Sequence, residues 1–141
     1  MHRFNRTLAP SILGVIFGML GMGMIGVAHA ATPAELLAGY QAQAGAPPRP
    51  ERGQTLFTTA SKQGLKLSCA SCHAKVPTKT STHPLSEKPI AALAPAFNPA
   101  RFTDADKVER YFRLNCKEVF ERDCSAAEKA DVLSWLMSLK P

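Results

Sequence analysis

Within five residues, Cys69-Ala70-Ser71-Cys72-His73 sets two thiols three apart and places an imidazole directly after the second. That spacing lets both vinyl groups of a haem be trapped as thioethers while the next side chain ligates the iron, so the fold has to be organised around a covalently attached haem c. Two other chemistries use cysteine pairs. A zinc site needs two further ligands at suitable spacing, and a thioredoxin-like dithiol needs a strand and a helix around it. Neither context is visible in this chain.

The N-terminus reads as an export signal. Arg3 and Arg6 precede a nearly unbroken apolar run from Leu8 to Val27, and Ala28-His29-Ala30 offers small residues where a signal peptidase reads them. The expected division is a signal peptide over 1–30 and one monohaem cytochrome c domain over 31–141. The run is also about long enough to span a bilayer, which leaves an uncleaved anchor as the alternative. Gly14, Gly18, Gly21, Gly23 and Gly26 weaken it as a helix, and the Ala-X-Ala site follows promptly. A periplasmic location suits both haem attachment and persistent disulfides.

Removing that leader leaves 111 residues (141 less 30), enough for one small domain. The formal charge drops from +6 to +4, because Arg3 and Arg6 depart with no acid. Much of the remaining basicity is ordinary loop lysine, and the compartment offers no nucleic acid, so nucleic-acid binding is set aside. Of five methionines only Met137 survives, and of four histidines only His73 and His83.

Those survivors restrict the second axial position of the iron. A small electron-carrying cytochrome c usually takes it from a Met in a loop before the last helix. Here Met137 lies inside a helical pattern with Leu133, Leu136 and Leu139 and reads as packing. The candidates that remain are His83, Asn115, a lysine, or an open site. His83 precedes Pro84 and is biased to extended backbone in a Pro-rich loop, where it can meet a propionate or solvent. Asn115 falls near the expected end of a helix that begins at Thr103, with Asp106 completing a capping box and Val108, Tyr111 and Phe112 on one side. Asn at that place reads first as a left-handed helix cap, and only second as a ligand. Cys116 and Cys124 are not needed for haem attachment, and spare thiols in an oxidising compartment pair with each other. So short a closure contributes about 2 to 3 kcal/mol on the chain-entropy account. It either staples two helices or limits how far the Asn115 side chain swings.

The rest of the chain reads as an all-α scaffold. Thr32-Pro33-Ala34-Glu35 is a capping box with Pro at the first helical position, predicting a helix over Pro33–Ala44 that ends in Gly45. Helix resumes from Glu51 to Thr59 with Leu56 and Phe57 inward. Pro77, Pro84, Pro89, Pro95 and Pro99 forbid a long helix or central strand between Lys75 and Arg101, leaving an irregular wrap. Ser125-Ala126-Ala127-Glu128 is a further capping box, opening a last helix that runs to about Leu139. No strand is apparent. Gly53 and Phe57 on the first core helix are expected to meet Trp135 on the last.

Across nearly the whole mature chain the sequence resembles the sphaeroides haem protein group of monohaem cytochromes, which are related to cytochrome c double-prime. The resemblance is carried by Ala34-Glu35-Leu36-Leu37-Ala38-Gly39-Tyr40, Glu51-Arg52-Gly53 with Leu56-Phe57, the haem motif, Leu93-Ala94-Pro95, Arg101-Phe102-Thr103-Asp104, Asn115-Cys116, Arg122-Asp123-Cys124, and Glu128-Lys129-Ala130-Asp131 with Trp135-Leu136. It implies an all-α, class I-like cytochrome c fold with several helices around one covalent haem. By position it implies Cys69 and Cys72 as the thioethers, His73 as the fixed ligand, Asn115 as a detachable ferric ligand, and a Cys116–Cys124 disulfide beside it. The cytochrome c double-prime branch has His where this chain has Asn115. As electron donors the resemblance implies a dihaem cytochrome c and a membrane cytochrome b.

An amide oxygen is a neutral, hard donor that suits ferric better than ferrous iron. The expected function is therefore a haem that binds diatomic gases (dioxygen, nitric oxide) on reduction, as a carrier or as an oxygen- or NO-linked oxidoreductase. The alternative is a plain electron carrier with a permanently filled sixth position, whose Lys62, Lys66, Lys75, Lys79 and Lys88 form a basic rim for an acidic partner. A peroxidase would want a distal acid-base group, and only His83 is available as a histidine. Arg101 is a candidate partner for the propionates.

Overall fold

The computed structural model describes residues 30–62 and 66–141. The expected leader lies outside the described residues except for Ala30, and among the described residues no helix is long and apolar enough to cross a membrane. Among the described residues five helices and one short ladder follow in order: α1 Pro33–Ala44, α2 Pro50–Thr58, α3 Cys69–His73, β1 Ser81–Thr82, β2 Pro89–Ile90, α4 Ala105–Phe120 and α5 Ala126–Ser138.

Local chemistry accounts for most boundaries. Thr32 and Glu35 cap α1 reciprocally, Glu35 N–H donating to Thr32 Oγ1 at 3.2 Å and Thr32 N–H to Glu35 Oε2 at 2.8 Å. Gly45 closes it in the left-handed region at φ 64°. Ser125 and Glu128 repeat the reciprocal cap at α5. At α4 the cap is Asp104 rather than Thr103, because its carboxylate accepts the Lys107 N–H at 2.9 Å while the Thr103 hydroxyl donates to Ala100 O.

Other expectations need correction as well. The helix expected to stop near Asn115 continues through it to Phe120 and ends at Glu121, which takes the left-handed conformation at φ 57°. The buried face continues through Cys116 and Val119, and burying those residues outweighs the tendency of Asn to stop a helix. The Pro-rich wrap does contain strand, though only two residues on each side: Ser81 faces Ile90 and Thr82 faces Pro89 in antiparallel register. Proline is tolerated because this is an edge ladder with no further strand to donate to.

The core is formed where α2 and α1 pack on α5. Phe57, Leu133 and Leu136 are fully buried, and the Phe57 and Trp135 rings meet at 5.0 Å between centroids. Gly53 meets α5 about one turn earlier than expected, at Asp131 and Val132 instead of Trp135. A Cβ on Gly53 would lie 2.1 Å from the Asp131 carbonyl oxygen, so the helices cross at a distance only glycine permits. The Asp131 side chain is buried at the same crossing; it accepts from Arg49 N–H at 2.7 Å and from the Arg52 guanidinium. Met137 packs on this core, as the periodicity predicts.

Gly53→Ala is therefore expected to destabilise the protein by about 3 kcal/mol or more, since backbone must move. Gly39→Ala, on α1 with open space around it, should be neutral or stabilise by up to about 1 kcal/mol. Thermal unfolding followed by circular dichroism separates the two; similar melting temperatures would contradict the close crossing.

Candidate haem site

α3 begins where Ser68 N–H donates to Ser71 Oγ at 3.0 Å, and this single turn presents Cys69, Cys72 and His73 to one cavity. The cavity has a volume of about 550 Å³, within the range of ordinary small-molecule sites. Its walls come from several elements after α1: Leu56 and Phe57 from α2, Ile90 and Leu93 from the wrap, Val132 and Leu136 from α5. α4 closes it with Tyr111, Phe112, Asn115, Cys116 and Val119. Asn115 thus shares a cavity with the three residues of the motif, and Met137 is not in the lining.

The chemistry of the motif residues fits a covalent haem. Cys69 and Cys72 are free thiols and are not bonded to each other. Burial raises the Cys69 thiol to about 11, and burial followed by the charge of Glu118 raises Cys72, so both are held as neutral thiols. Burial first, and then the charges of Arg101 and His83, lower the His73 imidazole to about 4, which keeps it neutral and able to ligate. Its Nδ1 is buried without a hydrogen-bond partner. The ring is held instead by packing, with the Phe57 ring at 6.2 Å between centroids. Ala74, the next residue, has φ 64° and ψ 161°, a region ordinarily reserved for glycine, so backbone strain sits directly beside His73. No group of His, Cys, Asp and Glu able to hold a free metal ion occurs among the described residues.

Arg101 and His83 both line the cavity. Arg101 is fixed by carbonyls of the wrap, its Nε donating to Ala92 O at 3.0 Å and Nη2 to Ala91 O at 2.7 Å. His83 Nδ1 accepts from the N–H groups of Leu85 at 3.3 Å and Ser86 at 3.2 Å, a turn that closes the loop between β1 and β2. None of Lys62, Lys66, Lys75, Lys79 and Lys88 lines the cavity, whereas Lys107 does. Reasoning from the sequence missed Lys107 and Glu118; Glu118 follows from α4 running on past Asn115, and Lys107 from the first turn of the same helix reaching the cavity.

Cys116 and Cys124 form a disulfide with Cα atoms 5.7 Å apart, joining α4 to the turn before α5. Arg122 braces that turn with two bonds to the Glu128 carboxylate, at 2.8 and 2.6 Å. The carboxylate is consequently held below its usual range, first by Arg122.

The likeness to known proteins covers this same region. Residues 43–136 match the family described as Domain of unknown function (DUF1924). The chain is 45% identical over 107 residues to the cytochrome c-type protein SHP of Cereibacter sphaeroides, covering 74% of this chain and 82% of that protein. The chain belongs to this family. Cytochrome c'' of Methylophilus methylotrophus is a second relative, 35% identical over 114 residues, 79% of this chain and 72% of that one. The structure of oxidized SHP, an oxygen binding cytochrome c, superposes with a TM-score of 0.74 at 43% identity, over 78% of this chain and 99% of that one. Oxidized cytochrome c'' does so with a TM-score of 0.70 at 32% identity, over 77% and 95%. A solution structure of the same cytochrome, concerned with haem-ligand detachment, gives 0.68 at 31%, over 77% and 94%. The protein is a c-type cytochrome of all-α, class I-like fold carrying one covalent haem c.

Replacing Cys116 and Cys124 by Ser should cost about 2 to 3 kcal/mol of unfolding free energy, from the loop entropy of an eight-residue separation. Denaturant titration of the parent and the double variant measures it, and an unchanged midpoint would count against the bridge as a constraint.

Proposed function

We propose that this chain is a periplasmic, gas-binding cytochrome whose residues Cys69 and Cys72 anchor the haem, whose His73 is the permanent axial ligand, and whose Asn115 is a detachable one. When bound, the haem supplies an iron that takes up an electron and a small neutral guest. The observation that carries the reading is the placement of Asn115 on the α4 wall of the cavity that Cys69, Cys72 and His73 occupy. Asn115 is half-buried, and among the described residues its amide enters no side-chain hydrogen bond, so it is not committed elsewhere.

The roles follow from donor chemistry. His73, kept neutral by burial, offers a strong nitrogen donor in either oxidation state. Asn115 offers an amide oxygen, a hard and neutral donor that would suit ferric iron better than ferrous and so would hold a bound haem less firmly once it is reduced. Having swung aside, the same amide keeps two N–H donors close enough to hydrogen-bond a diatomic guest such as dioxygen or nitric oxide. Phe112 and Val119 keep the α4 wall of the cavity apolar and limit water around the guest. Arg101, locked by two carbonyls, is the favoured partner for a propionate.

Electrons arrive from a periplasmic donor, with a dihaem cytochrome c and a membrane cytochrome b as the candidates. The apolar run and Ala28-His29-Ala30 support export and cleavage after Ala30. That SHP is an oxygen binding cytochrome c supports the gas-binding assignment, and the likeness to cytochrome c'' supports ligand detachment.

Asn115→His tests the reading. It is expected to give a six-coordinate, low-spin iron that resists carbon monoxide in both oxidation states, whereas the reduced parent captures it; unchanged gas binding would overturn the assignment. Intact mass of the purified protein should correspond to a chain beginning at Ala31 with one haem. A retained leader would favour an anchor.

A further inference from the structure

α4 is attached to the molecule differently from the other long helices. α1, α2 and α5 meet through close backbone packing, whereas α4 is joined to them by a set of side chains and one disulfide. At the centre of that set is Glu109. Its Oε1 accepts from the Tyr40 hydroxyl of α1 at 2.6 Å, and its Oε2 accepts from Lys129 Nζ of α5 at 2.6 Å. The Lys129 ammonium also lies over two rings, 5.5 Å from the centroid of Tyr40 and 5.9 Å from that of Phe112. Those rings in turn pack edge to face at 5.9 Å. One carboxylate, one ammonium, one phenol and one phenyl ring thus close a circuit across three helices.

We propose that Glu109, with Tyr40 and Lys129, is a positioning cluster that sets how α4 lies over the cavity and thereby how readily Asn115 closes or vacates its place there. This rests on the assignment of Asn115 as a detachable ligand. Phe112 is the link: it belongs to the cluster through Tyr40 and Lys129, and it lines the cavity one turn before Asn115. On the other side of Asn115 the next residue, Cys116, is tied to Cys124. Two tethers therefore bracket Asn115, one covalent and one made of charges and rings, and only the second is able to yield without chemistry. The cluster is only partly a surface ion pair. The Glu109 side chain is 48% exposed, but Tyr40 is buried and the Lys129 side chain is 17% exposed, so solvent and salt screen the contact on the Glu109 side and less on the Tyr40 and Lys129 side. Arg113 adds a second positive charge facing Glu109.

Oxidised holo-protein of Glu109→Gln, Lys129→Met and Tyr40→Phe, each beside Asn115→Ala, provides the test. Optical and paramagnetic spectra report the axial ligand, and carbon monoxide titration of the reduced form reports how easily the site opens. Glu109→Gln and Lys129→Met should move the oxidised spectrum toward that of Asn115→Ala and change the carbon monoxide dissociation constant roughly fivefold or more. Amide hydrogen exchange should quicken in α4 while α2 and α5 keep the parent's rates. Tyr40→Phe removes one hydroxyl, should fold where the others fail, and should shift both readouts the same way by less. Lower melting temperatures with parental spectra and gas constants would make the cluster merely structural and overturn the proposal. If Asn115→Ala leaves the oxidised spectrum unaltered, the ligand assignment fails and the proposal with it; if Asn115→Ala alters it and Glu109→Gln does not, the cluster alone is refuted.

Discussion

The contact between Gly53 and the Asp131 backbone governs the rest of the molecule. Without a side chain at position 53, α2 rests directly on α5, and the Asp131 carboxylate holds the start of α2 through Arg49 and Arg52. One turn further along α2, Phe57 then reaches Trp135 on one side and His73 on the other. The His73 imidazole is thereby set by the same packing that stabilises the fold, and side chains packed to interior density leave it little room to reorient.

The cavity is asymmetric in construction. Its His73 side belongs to the core and contains the strained Ala74 backbone that a well-packed surrounding can hold in place. Its Asn115 side is a single amphipathic helix, tied down by a disulfide, a capped start and a few charged and aromatic side chains. Under the roles proposed for His73 and Asn115 this division matters, because the energy that secures the first does not have to be disturbed to free the second. An equilibrium between open and closed states needs a gap of only a few kcal/mol, which side-chain contacts supply and a helix-helix core would exceed.

Much of the architecture was legible from local chemistry. The Thr32/Glu35 and Ser125/Glu128 boxes, Gly45, and the packing of Met137 in the last helix depend on neighbours within a turn or two, and each stands as read. Asn115 as a possible helix stop did not survive, because the decision rested on Val119 and Cys116 being buried by residues far along the chain. The ladder between Ser81–Thr82 and Pro89–Ile90 was also missed, since two residues on each strand carry no period to detect.

By itself the sequence determined the chemistry: which thiols and which imidazole are available, that no methionine stands ready as a second ligand, and that Cys116 and Cys124 are left over to pair. These are matters of residue identity and short spacing, which the chain carries unfolded. Tertiary structure alone decided that Asn115 lies on the wall of the cavity holding Cys69, Cys72 and His73, and that Glu109 joins Tyr40 to Lys129 across three helices. Glu109 is 69 residues from Tyr40 and 20 from Lys129, and no propensity or spacing encodes contacts at that range. They exist because burying the faces of α1, α2 and α5 leaves α4 one place to lie.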